Sequence, residues 1–192
     1  EGTEDWHGTN FKKLDAKRGR LMIEASASSG FPMAVADCYN SGWNGLEQDD
    51  KKAFDMFVKI EQETNGYHWA QYMLGDCYRF GYGTDQDYTK AFEWYTKSSE
   101  QENSSAAMCW LGVCYANGQG CDQNQTKAVE LYEKSANLEC STAMFNLGTC
   151  YEEGNRGVTK DLNKAREWYT KAAAQGDADA QTKLDSLNAS NN

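Results

Sequence analysis

Proline is nearly absent. The chain has 192 residues and a single proline, Pro32, against 17 glycines. Proline breaks helices, so little here forbids helix from end to end. Histidine is almost as scarce. Neither His7 nor His68 lies at metal-ligand spacing from a cysteine or another histidine. Basic residues are outnumbered, 19 Lys and Arg against 29 Asp and Glu, for a net charge of −10. Nucleic-acid binding neutralises phosphates with cations, and docking on an anionic membrane needs the same sign. Neither is expected. No apolar run reaches the roughly 18 residues of a spanning helix, so membrane insertion is not expected either. The hydrophobic fraction is a modest 40%, yet aromatics make up 12%, too many for a disordered chain.

Catalytic patterns are missing too. There is no phosphate-cradling loop ending in Gly-Lys-Ser/Thr and no nucleophile elbow. The acidic clusters at 47–50 and 152–153 lack the ordered ligand spacing of a calcium loop and read as solvated surface. A paired-carboxylate hydrolase is a minor rival, because nothing selects the pair. The expectation is therefore no enzyme, with no catalytic residue, no metal ligand and no cofactor.

What is present is repetition. Ala70, Leu74, Gly75, Cys77 and Tyr78 recur as Ala107, Leu111, Gly112, Cys114 and Tyr115. They recur again as Ala143, Leu147, Gly148, Cys150 and Tyr151. A degenerate copy runs through Phe31, Val35, Ala36, Cys38 and Tyr39, and a partial one from Ala180 to Leu184. A second string follows each of the first four: Lys52-Ala53, Lys90-Ala91, Lys127-Ala128 and Lys164-Ala165, with an aromatic or large apolar pair three and four residues beyond the alanine. Both strings have helical spacing. Small residues such as Ala70 and Gly75 admit a close neighbour, and Tyr78, Trp94 and Tyr95 fill the space between layers. Gly42, Gly81, Gly118 and Gly154 end the first helix, where a left-handed residue favours glycine. Asp49, Asp87, Asn124 and Asp161 stand as N-caps of the second.

Each unit is thus helix A, a glycine-rich loop, helix B and a short turn. The expected organisation is one repeat domain over 1–192. It comprises an N-terminal half repeat at 16–30, repeats at 31–66, 67–103, 104–139 and 140–176, and a C-terminal capping helix and tail at 177–192. The last helix carries Gln181, Lys183 and Asp185 on its outer side, as a cap should.

These strings resemble the Sel-one-like repeat family, a relative of tetratricopeptide repeats, over roughly residues 16–188. The run from Ala143 to Ala173 follows the family pattern most closely, and the first copy departs from it at Phe31, Val35 and Ala36. The resemblance implies an all-α fold, an α/α superhelical solenoid of about four helix-pair repeats with half-repeats at both ends. It also implies a non-enzymatic scaffold or adaptor that holds protein partners. In the family, helix A lines the concave side. A helical wheel turns offsets of two, six and nine residues from the first alanine away from helix B. Partner-binding candidates on and beside that strip are Met33, Tyr72, Arg79, Trp110, Val113, Phe145 and Glu152. Packing against the next repeat is the competing use of the same residues.

Seven cysteines is an odd count for a disulfide framework. Some relatives carry a disulfide in every repeat, but their paired cysteines do not occur here. Equivalent positions in stacked repeats lie about 10 Å apart, whereas a disulfide needs Cα atoms within about 7 Å. Cys38, Cys77, Cys114 and Cys150 are therefore expected as buried thiols. Cys121 takes a loop position that is valine in the family, so packing is its expected role. Cys109, near the start of one helix A, and Cys140, after the antiparallel helix B, form a candidate disulfide in an oxidising compartment.

Three glycosylation sequons occur, at Asn103, Asn124 and Asn188. The chain starts at Glu1 without a methionine, which a cleaved leader or trimming of a longer chain would leave. These features favour a secreted or luminal chain after signal cleavage over a cytoplasmic one. They also motivate an alternative function: a secreted structural subunit that self-assembles into a homo-oligomer or filament. A helix B-like start and a helix A-like end are complementary in principle, although the polar last helix argues for a cap.

Overall fold

Short polar side chains open most of the helices in the computed structural model, which describes residues 48–64, 66–101, 104–154 and 157–189. Asp49 accepts the Lys52 N–H at 3.0 Å at the head of α1 (Asp50–Thr64). After α2 (His68–Phe80), Asp87 accepts from the Lys90 N–H at the head of α3 (Tyr88–Ser99). After α4 (Ser105–Asn117), Asn124 does the same for Lys127 at the head of α5 (Gln125–Asn137). After α6 (Ser141–Glu153), Asp161 caps α7 (Leu162–Ala174), and Asp177 caps α8 (Ala178–Ala189) through the Ala180 N–H at 2.9 Å. All four predicted caps carry out that role. Each contributes about 1 kcal/mol.

Among the described residues there are eight helices and no strand. The chain is an all-α repeat fold. It divides into two compact units, Glu1–Gln86 and Asp87–Asn192, between α2 and α3. That division falls inside the expected repeat at 67–103. The predicted half repeat at 16–30 and the degenerate first helix A, with Met33 and Cys38, lie outside the described residues.

Helix A ends as the glycines foretell. Gly81, Gly118 and Gly154 are left-handed, with φ of 77°, 68° and 67°. Their N–H groups bond the carbonyls of Cys77, Cys114 and Cys150. The second loop glycine serves a different need. A Cβ on Gly83 would overlap the carbonyl of Asp50, and one on Gly120 the carbonyl of Tyr88. The loop of one repeat thus lies directly on the first turn of the preceding helix B.

The cores follow the repeat. In the first unit, Ala53, Phe57 and Ile60 of α1 are buried, as are Ala70, Leu74 and Cys77 of α2. In the second, α4 to α8 enclose Tyr132, Tyr169, Leu147, Cys150 and Leu187, and helix A lies against helix B within each pair. Tyr132 crosses Gly112 and Tyr169 crosses Gly148. A Cβ at Gly148 would stand 2.5 Å from Tyr169 Cε1, and one at Gly112 would stand 2.7 Å from Tyr132 Cε1. Only a bare backbone leaves room for the ring. Cys77, Cys114 and Cys150 are buried thiols, as their repeat spacing predicts.

Exchanging a helical glycine for alanine ordinarily stabilises a helix by up to about 1 kcal/mol. Here the sign reverses. Gly148→Ala is expected to destabilise the protein by about 1–3 kcal/mol, the range for overpacking. Urea denaturation followed by circular dichroism reads it, and a variant as stable as the parent would contradict the packing described.

Candidate functional site

The predicted strip on helix A divides into parts with different fates. In the second unit much of it is spent on packing. Phe145 lies 5.6 Å from the Tyr169 ring, centroid to centroid, and Thr149 Oγ1 is 3.2 Å from the Tyr169 hydroxyl. That hydroxyl donates to Glu152 Oε2 at 2.6 Å. The strip on α6 therefore does not turn away from helix B as the wheel predicts. Tyr169 reaches across Gly148 and touches all three residues. Glu152 also holds Lys183 of α8 at 2.9 Å, so it joins α6, α7 and α8. Val113 is half-buried against the same core, and Trp110 is half-buried on α4.

Electrostatics at Glu152 follow from these contacts. Burial works to raise its carboxyl pKa, but the Tyr169 hydroxyl and the Lys183 ammonium outweigh it and hold the group below the usual carboxylate range. Burial first, and then the neighbouring carboxylate, push the Tyr169 hydroxyl upward.

The first unit keeps its strip more open. Tyr72 is half-buried on α2, its ring 5.1 Å from Trp69, and Trp69 is exposed. At the other end of α2 the Arg79 guanidinium lies 4.9 Å from the Phe80 ring centroid. Phe80 stacks on Tyr82 at 5.4 Å. Phe80 is 46% exposed and Tyr82 39%, large values for aromatic side chains. Trp69, Phe80 and Tyr82 are not among the candidates that the helical wheel selects. A signal existed: the positions equivalent to Phe80 and Tyr82 in the later repeats are Asn117 and Gln119, then Glu153 and Asn155, all polar.

The other candidates fall as follows. Met33 and Asn103 lie outside the described residues. Asn124 is half-buried and engaged as a cap, while Asn188 is exposed in the last turn of α8. Cys109 and Cys140 are free thiols, and Cys140 packs against the core cluster that contains Cys109. Cys121 is half-buried in its loop. Among the described residues no group of three or more His, Cys, Asp or Glu side chains is arranged to hold a metal ion, and no helix is long and apolar enough to cross a membrane.

Glu152 gives a pH test. Its folded pKa is depressed, so its contribution is present above the ordinary carboxylate value of 4.5 and is lost as pH falls through the folded value. Glu152→Gln is expected to lower stability at neutral pH by under about 1 kcal/mol, because the Lys183 side chain remains 40% exposed and solvent screens the pair. The gap between parent and variant should narrow as pH falls below 4.5 and through the lower folded value. Denaturation midpoints across pH check it; a gap that persists unchanged in acid would contradict the ionic role.

With this geometry in hand, the comparisons with known proteins are consistent. The Sel1 repeat family matches the chain four times, over residues 33–59, 70–103, 105–140 and 141–177. The chain is 29% identical to a Sel1 repeat protein from Oxalobacter formigenes, at a TM-score of 0.72 over 88% of this chain and 74% of that one. It is 30% identical to a protective antigen of uropathogenic Escherichia coli strains that displays an SLR fold, also at a TM-score of 0.72. That match covers 90% of this chain but spans only 36% of the antigen's length. Cysteine rich protein B of Helicobacter pylori is 26% identical, at a TM-score of 0.55 over 71% of this chain and 96% of that one. Sel1 repeat proteins are generally protein-interaction scaffolds. Four matched repeats covering more than half of the sequence, on paired helices with this capping and packing, place the chain in the Sel1 repeat family.

Proposed function

We propose that the chain is a non-enzymatic scaffold that binds a protein partner through the aromatic surface of α2 and its following loop. One observation carries the reading: Trp69, Phe80 and Tyr82 stay exposed beside Tyr72 and Arg79. Aromatic and arginine side chains are the residue types that dominate binding energy at interfaces. The aromatic ones offer large area with few rotatable bonds, so ordering them costs little. The polar residues support a structural rather than catalytic use. Asp49, Asp87 and Asp161 are engaged as helix caps, and Lys51–Asp55 and Lys59–Glu63 are surface pairs one helical turn apart. The partner-binding set in the first unit is Tyr72 and Arg79 extended by Trp69, Phe80 and Tyr82. Trp110 and Val113 are the remaining candidates in the second unit.

The test places a photocrosslinking amino acid at Tyr72 in one sample and at Trp168 in another, in otherwise native chain. A defined partner is expected from Tyr72 and not from Trp168. For that partner, the double variant Phe80→Ala, Tyr82→Ala should weaken binding by about 30-fold or more, a hot-spot loss of about 2 kcal/mol. Its own stability should change by less than about 1 kcal/mol, since both rings lie at the surface rather than in the core. Unchanged affinity in a folded variant would remove this surface from the proposal. Crosslinks between copies of the chain would favour self-assembly instead.

A further inference from the structure

Among the described cysteines, one pair stands apart from the repeat. Cys109 lies on α4 and is 1% exposed. Cys140 occupies the N-cap of α6 and is only half-buried. Several contacts fix them at one corner of the second unit. Ser135, near the end of α5, donates its hydroxyl to the Ser105 carbonyl at 2.7 Å, which ties α5 to the start of α4. The Cys140 N–H returns to the Ser135 carbonyl at 3.2 Å, which turns the chain tightly from α5 into α6. Asn146 of α6 points its Nδ2 at Cys109 Sγ, 3.8 Å away. Cys140 packs against the core cluster that holds Cys109, near enough for the Cys109 thiol to act on its sulfur. The two sulfurs are thus neighbours held by surrounding structure, unlike the buried cysteines spaced by one repeat.

We propose that Cys140 and Cys109 form a reversible dithiol–disulfide pair that reacts with small disulfides, Cys140 attacking and Cys109 resolving.

The asymmetry of the site assigns the roles. Cys140 is the sulfur that solvent reaches. It sits in the field of the Thr142 and Ala143 N–H groups at the α6 N-terminus, which favours a thiolate. Its pKa is pulled down to about 6, first by the Cys109 thiol and against the effect of burial, with Ser135 and those N–H groups adding to it. Burial, with Asp76 and Asp50 behind it, instead pushes Cys77 up to about 12, and burial raises Cys121 as well. Cys109 is closed to outside reagents, but a sulfur bound at Cys140 stands directly before it. The Asn146 amide is placed to stabilise negative charge as Cys109 gives up its proton.

The reaction balances as ordinary thiol–disulfide exchange. The Cys140 thiolate attacks one sulfur of a small disulfide, whose S–S bond breaks and releases one thiolate. The Cys109 thiol loses its proton to solvent and attacks the Cys140 sulfur of the mixed disulfide. That bond breaks and releases a second thiolate. One protein disulfide forms, and the small disulfide is reduced to two thiols. The new bond joins α4 to the start of α6 and closes the chain between 109 and 140. The turn it would lock contains Glu139, left-handed at φ 61° and the one described non-glycine residue with positive φ. Reduction would free that turn, so the pair links redox state to how firmly repeats three and four are held together.

The test uses glutathione as the probe. Reduced, folded chain is equilibrated in mixtures of oxidised and reduced glutathione, trapped by alkylation after denaturation, and mapped by peptide mass. The expected product is a single bridge between Cys109 and Cys140, with a loss of about 2 Da. It should appear while Cys77, Cys114 and Cys150 are still alkylated, and reverse when reduced glutathione is raised. Cys109→Ser should arrest the reaction with glutathione on Cys140, and Cys140→Ser should give neither bridge nor adduct at this corner. The proposal is overturned if the parent forms no 109–140 bridge, if a stable glutathione adduct persists on Cys140 in the parent, or if Cys109→Ser leaves Cys140 unmodified. Circular dichroism of each variant confirms that the fold is retained. Because no partner is needed, the result is independent of the α2 reading.

Discussion

A tyrosine ring set against a bare glycine backbone joins helix A to helix B in the pairs α4–α5 and α6–α7. Tyr132 lies against Gly112 and Tyr169 against Gly148, each ring occupying the space that a Cβ would need. Burying such a ring contributes on the order of 1.5–3 kcal/mol, and the close approach aligns everything beside it. Ala128 and Ala165 are fully buried where the two backbones are near. The left-handed glycines then turn the chain, and the cap residue starts helix B in the one register that places its tyrosine. These two repeats thus each fix their own helix pair through one large and one absent side chain.

The same ring also explains how neighbouring repeats are joined. The Tyr169 hydroxyl emerges beyond Gly148 to meet Glu152, and Glu152 carries the connection on to Lys183 in the terminal helix. On the opposite side, a loop glycine rests on the preceding helix B, as Gly120 does on Tyr88. These are different devices with one consequence: the strip of helix A in the later repeats is occupied by internal contacts. In the first unit, α2 keeps accessible aromatic surface at both ends. Phe80 and Tyr82 depart from the repeat, with polar residues at the equivalent positions of the later copies.

Much of this was legible in the sequence because it is periodic. The caps at Asp87, Asn124 and Asp161, the C-terminal glycines and the buried cysteine positions each recur with the repeat, and each has a local cause that does not depend on distant parts of the chain. The strip on α6 was misjudged for a physical reason. A helical wheel gives the angle of Phe145 and Glu152 about their own axis, but says nothing of how far a tyrosine on the facing helix can reach once glycine removes the obstacle. Glu139 was missed because no residue type announces a left-handed glutamate. Gly66 and Gly176 are left-handed at two other helix B to helix A turns and mark the position. The exposed aromatics were missed because attention to what repeats hides what does not.

The central claim is that the bare backbone at Gly148 exists to receive the Tyr169 ring. A double-mutant cycle isolates that coupling. The stability change of Gly148→Ala would be measured in the parent and again in a Tyr169→Ala background, by denaturant unfolding under identical conditions. With the ring gone, the added methyl group meets no obstacle and should become neutral or stabilising, following ordinary helix propensity. An equal penalty in both backgrounds would show that something other than the ring excludes a side chain at this position, and the account of how these helices are paired would fail.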